Sequence, residues 1–191
     1  MIDLDVKGFE SLATSVAPGN DSEKKLLEEI SKVKLTANQI RRTYDALEYR
    51  SSRIENVLEE CLLSLDKDFF FWEKALKDFP SFRSRILSRM SEKAENVDQH
   101  LVVISNSWGL SAYASSVEKA TSIAASEDLK KLVLASDKIP AGTKWFYEIW
   151  RKIVDTASVM SAEDLEFFHS RTVGRDTKEY LKKLLDERLG H

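Results

Sequence analysis

The sequence predicts an all-α protein, built as an elongated helical bundle, and three observations carry that prediction. Only six Gly and three Pro occur in 191 residues, too few for a β protein with many tight turns. Between Asn20 and Phe79 there is neither. Within that stretch Leu26, Ile30, Val33, Ala37, Ile40, Tyr44, Leu47, Ser51, Ile54, Leu58, Cys61 and Leu65 alternate spacings of four and three, and ten of the twelve are clearly apolar. A charged fraction of 32% beside a hydrophobic fraction of 42% fits amphipathic helices with much solvated surface.

Residues 1–20 show weak periodicity and are read as an N-terminal arm or short helix. Asn20, Asp21 or Ser22 can cap the next helix, with Glu23 in its favourable first turn. The heptad stripe then predicts one unbroken helix over 22–66, on the order of 65 Å long. A rod of that length needs a partner along its seam. Ser51 is the polar exception among its core positions.

After Asp66-Lys67-Asp68 the run Phe69-Phe70-Phe71-Trp72 covers the whole circumference of a helical turn. Its four rings cannot all face one core, so the turn is either enclosed on several sides or partly a docking surface. Pro80 suits a helix start, where its missing N–H costs nothing. Ile86, Met90, Ala94, Val97, Leu101, Ile104 and Trp108 form a second stripe. The helix beginning near Ser81 is therefore predicted to pack antiparallel on helix 22–66, giving a long coiled-coil-like hairpin over 21–125. Residues 126–191 are predicted as a smaller C-terminal helical cluster. Ser126-Glu127-Asp128-Leu129 begins a cap for its first helix. The segment 144–152 looks like an interfacial membrane helix, but Phe146, Ile149, Trp150 and Ile153 fit a core stripe and are read as one. Ser161-Ala162-Glu163-Asp164 resembles a capping box, and a last helix runs from near Asp176 to Leu189. Six or seven helices are expected in all.

Chemistry-bearing motifs are sparse. Glu166-Phe167-Phe168-His169 matches the Glu-x-x-His of di-metal bundles, but no second copy exists. Cys61 holds a heptad core position, where a thiol behaves as a small hydrophobe. There is no Gly-x-Ser-x-Gly, phosphate-binding glycine loop or Cys-x-x-Cys. Neither catalytic, cofactor nor metal residues are therefore expected, and the chain is read as non-enzymatic.

Two surface patterns remain. Arg83, Arg85, Arg89 and Lys93 follow Pro80, and the last three fall on one helix face. They are the candidate contact for lipid headgroups or a nucleic-acid backbone, although the net charge of −3 gives no global attraction to either. The alternative is a solvated face paired with acidic neighbours. Along the long helix, Lys34, Arg41, Glu48 and Glu55 occupy successive e positions. In an antiparallel pair of copies Lys34 would meet Glu55 and Arg41 would meet Glu48, setting orientation rather than driving association. The helix near Ser81 could use the same charges within one chain.

The expected function is a protein–protein interaction module, a scaffold, adaptor or assembly subunit that uses a long helical face, with another protein or a second copy as partner. A peripheral membrane-binding helical dimer and a nucleic-acid-binding protein are the alternatives. The single cysteine, the acidic opening Met1-Ile2-Asp3-Leu4-Asp5 where a leader would be basic, and the lack of any run of about 18–20 apolar residues point to the cytoplasm.

Overall fold

A computed structural model describes residues 6–135 and 137–190; the reading of Met1–Asp5 as lacking a leader lies outside them. The described residues form twelve α-helices and no strand. These are α1 (Val6–Thr14), α2 (Ser22–Lys32), α3 (Ala37–Ala46), α4 (Ser52–Leu63), α5 (Phe69–Asp78), α6 (Arg83–Lys93), α7 (Val97–Asn106), α8 (Ser111–Ile123), α9 (Ser126–Leu134), α10 (Lys144–Thr156), α11 (Ala162–Arg171) and α12 (Arg175–Leu189). None of them is long and apolar enough to cross a membrane. The chain divides into two compact units, Met1–Arg89 and Met90–His191.

The all-helical prediction holds, but the rod does not. Residues 22–66 are three helices, interrupted at 33–36 and 47–51. Local caps explain both interruptions. Val33 is extended, and Thr36 then forms a capping box with Gln39: the Gln39 N–H donates to Thr36 Oγ1 at 3.3 Å, and the Thr36 N–H donates to Gln39 Oε1 at 2.8 Å. Leu47 is extended as well, and Ser51 caps α4 by accepting from the Ile54 N–H at 3.2 Å. The polar residue in the heptad seam is thus a helix start. The buried set shifts accordingly. Leu35, Leu62 and Leu63 are buried, while the heptad residues Val33, Ala37, Cys61 and Leu65 are only half-buried. With no rod over 22–66, the long hairpin expected between it and the helix near Ser81 does not form.

In the first unit α1 packs on α2 and α3, and α4 packs on both α2 and α3. Phe9 and Ala13 anchor α1, so the described part of the N-terminal segment is a docked short helix. Leu26, Ile40, Ile54, Leu58 and Ile86 are fully buried. Truncating any one of them to Ala would cost about 2–5 kcal/mol. Tyr44 sits among them with its ring edge-on to Phe79 at 5.2 Å and Phe82 at 5.3 Å. Pro80 opens a single 3-10 turn, Pro80–Phe82, that leads directly into α6, as its fixed φ favours.

In the second unit α8 packs on α7 and α10, α9 on α10 and α11, and α12 on α11. The core joins Val97, Ile104, Val117, Ala120, Leu129, Ile149, Ile153, Leu165, Phe168 and Leu181. The second apolar stripe of the sequence is also broken, because Asn96 caps α7 by accepting from the Gln99 N–H at 3.0 Å. Trp108 falls outside the helix and is 64% exposed, its ring edge-on to Tyr113 at 5.0 Å. Thr143 caps α10 and Ser161 caps α11, the latter at the predicted position. Phe146 is half-buried, and Ile149, Trp150 and Ile153 are buried, as a core stripe requires.

Candidate functional site

Two helix starts position a groove in the first unit. The Thr36 cap sets the first turn of α3, so that Ala37, Asn38 and Arg41 share one face. Asp68 starts α5 by accepting from the Phe71 N–H at 2.8 Å. That start rotates the aromatic run so that Phe69 (4% exposed) and Trp72 (1%) are buried, Phe71 is half-buried and Phe70 is 68% exposed. The Trp72 indole N–H donates to the Lys67 carbonyl at 3.1 Å, which satisfies its one polar atom. The run is thus enclosed on one side and open on the other.

Between the two faces lies a cleft of about 200 Å³, lined by Ala37, Asn38, Arg41, Phe71, Lys74, Ala75, Asp78 and Phe79. Arg41 spans it, 3.4 Å from Asp78 and 3.6 Å from Asp45. Neither approach is a hydrogen bond, so the guanidinium fork keeps its donor capacity. Of the residues singled out in the sequence, the structure brings Arg41 and Phe71 together here. Lys74, Asn38 and Asp78 were missed. The signal was present: Lys74 lies three residues after Phe71 and four after Phe70, on the same helical face.

The other sequence candidates are dispersed. Lys34 lies in the segment before α3 and Glu48 in the segment before α4, both exposed, while Arg41 belongs to α3 and the half-buried Glu55 to α4. They do not form the edge of one helix, so the antiparallel e-to-e pairing has no geometric basis. The basic stripe is engaged within the chain. Arg85 reaches Glu59 at 3.1 Å and Glu60 at 2.5 Å on α4, Arg89 donates to the Leu63 carbonyl at 3.4 Å, and Arg83 and Lys93 also have interactions of their own. Arg83, Arg85 and Arg89 fall in the first unit and Lys93 in the second.

The second unit has a larger open groove of about 450 Å³ between α8 and α10, where Glu118, Glu148 and Asp155 mix with Arg151 and Lys152. Lys152 is tied to the Ser122 carbonyl across it. With both signs interspersed, this groove selects no ligand charge. Deeper in the same unit, His100 is buried, and its Nδ1 has no hydrogen-bond partner among the described residues. Burial, followed by the charge of Lys119, lowers its pKa to about 4. Lys119 Nζ itself donates to the Ser91 carbonyl at 3.0 Å. Lys130 is 2.6 Å from Asp164, and hydrogen bonds from its ammonium to Asp164 and Glu127 push its pKa up to about 12.

Cys61 is half-buried, and burial, then the charge of Glu60, raises its thiol pKa. Glu166 is exposed and His169 half-buried on α11, and among the described residues no three metal-ligating side chains converge.

No family model, curated protein or solved structure matches the chain. Its own geometry therefore carries the functional reading.

Proposed function

We propose that the chain is a non-enzymatic protein–protein interaction module, a scaffold, adaptor or assembly subunit acting in the cytoplasm, and that its binding face is the α3–α5 groove. One observation carries this reading. The α5 turn that buries Phe69 and Trp72 leaves Phe70 68% exposed beside a cleft lined by Phe71, Phe79, Arg41 and Lys74. Aromatic and arginine side chains around a small cleft are the usual anchors of protein interfaces. The long helical face expected from the heptad stripe is not available for this role, because that stripe is three helices. The partner proposed is another protein rather than a second copy, since the charges expected to orient a dimer stand on separate elements.

The membrane and nucleic-acid readings both required an available basic stripe at Arg83–Lys93, and its members are engaged within the chain. A photo-crosslinking amino acid placed at position 70 of the full chain, irradiated in cells, tests the proposal. The expected result is a discrete protein adduct that is lost when Arg41→Gln and Lys74→Glu are added. Adducts confined to lipid or nucleic acid, or no adduct at all, would overturn it.

A further inference from the structure

We infer that the α3–α5 groove recognises an acidic peptide segment carrying an apolar side chain beside its carboxylates; this inference rests on the protein-interaction reading above. The charge arrangement comes first. Among the described residues the Lys74 side chain makes neither an ion pair nor a hydrogen bond, and the Arg41 side chain makes two ion pairs but no hydrogen bond. The one acid lining the groove, Asp78, is the more shielded partner of its pair, its side chain 20% exposed against 47% for Arg41. The other partner of Arg41, Asp45 at 3.6 Å, is 57% exposed but does not line the cleft, so the cation an approaching ligand meets first without a carboxylate partner is Lys74. Asn38 adds an exposed side-chain amide on the same rim, and Lys77 extends the outward strip Phe70–Lys74–Lys77 along α5.

The walls supply the second half of the recognition. Phe79, 3% exposed, floors the cleft, and Phe71 and Ala75 flank it. At about 200 Å³ the cleft is smaller than the roughly 300–1,000 Å³ of small-molecule sites, so it suits one apolar side chain rather than a cofactor. Two cations at one cleft are too few to track a nucleic-acid backbone, where several phosphate contacts are needed to hold a strand. A carboxylate can take the Arg41 fork in bidentate fashion while Lys74 adds a point charge. The apolar side chain next to it enters the aromatic cleft.

The test uses the full-length protein and four fluorescent synthetic peptides of equal length, titrated by polarisation at low and raised NaCl. One is acidic with a single Phe, one acidic without it, one basic with Phe, and one neutral with Phe. The acidic Phe peptide is expected to bind at least tenfold tighter than each of the others and to weaken as salt rises. Lys74→Glu, at an exposed side chain whose loss leaves folding unchanged by circular dichroism, should weaken that peptide at least tenfold and improve the basic one. Binding indifferent to peptide charge, or unchanged by Lys74→Glu, overturns the inference. A wild-type preference for the basic peptide, or no peptide binding alongside a protein adduct at position 70, also overturns it while leaving the interaction-module reading in place. Failure of both peptides and adduct removes both.

Discussion

Ser51 Oγ donates to Glu23 Oε1 at 2.8 Å while accepting from the Ile54 N–H at 3.2 Å. One hydroxyl thereby starts α4 and ties its first turn to the first turn of α2. Chain segments that the heptad pattern would set about 40 Å apart along a rod are neighbours. Ser51→Ala should cost about 1–2 kcal/mol, from the lost cap and the lost bond to a carboxylate. Ser51→Leu gives the sharper contrast, because it completes the apolar heptad and would stabilise a rod. It is expected to lower the urea midpoint at least as much as Ser51→Ala, without raising helix content by circular dichroism.

Tyr44 is the polar centre of the first unit's aromatic core. Its Oη shares a 2.8 Å hydrogen bond with Ser81 Oγ and accepts from Arg50 Nη1 at 2.8 Å, and the Arg50 guanidinium lies 4.0 Å from the ring centroid. Tyr44→Phe keeps the packing against Phe79 and Phe82 and should cost about 1–2 kcal/mol. In a double-mutant cycle with Ser81→Ala the two changes should be less than additive, since they remove the same bond.

His100 predicts a pH dependence in the second unit. Its pKa falls from 6.5 to about 4 on folding, so between those values the unfolded chain binds more protons than the folded one. Stability should then be full above about pH 6.5 and decline as the pH drops toward 4. His100→Leu, which keeps an apolar volume without a titrating ring, should flatten the urea midpoint across that window. Parallel pH curves for the two proteins would show that the ring does not contribute.

Lys130 and Asp164 link α9 to α11, with both side chains only 13% exposed. Burial alone would raise the Asp164 carboxyl, but hydrogen bonds from Lys130 and Ser161 outweigh it and hold the pKa below 3.8. The acid's contribution is therefore present at neutral pH and lost on acidification through its folded value. The base's contribution is present at neutral pH and lost as the pH rises toward about 12. A cycle of Lys130→Met and Asp164→Asn should show favourable coupling at pH 7 that disappears in acid.

Helix content, and several starts, were legible because they depend on neighbours in sequence. Pro80 at the head of a turn, Ser161 as a cap and the core stripe of α10 each rest on contacts within about one or two turns. The breaks in the heptad stripe were legible too, in Thr36-x-x-Gln39 and in the polar Ser51, yet spacing alone concealed them. Apolar residues at intervals of three and four keep their register across a short extended segment, so periodicity cannot by itself distinguish one long helix from three. Arg41 and Phe71 were both singled out, the first for a charge pattern along a rod and the second for a crowded turn. Their meeting across a cleft depends on how α3 and α5 pack, which neither pattern records.

The sequence by itself determined that this chain is helical and where some of its helices begin, because capping and apolar periodicity act over a few residues. Only the tertiary structure decided that Ser51 reaches Glu23, that Arg85 is occupied by α4, that His100 is buried with no partner for Nδ1 among the described residues, and that Arg41 and Lys74 share a cleft with Phe71. The Ser51–Glu23 and Arg85–α4 contacts and the meeting of Arg41 with α5 each join groups on separate elements, and the burial of His100 likewise depends on which helices cover it. The free energy that sets them comes from burying faces of several helices at once, and no local pattern specifies which face meets which.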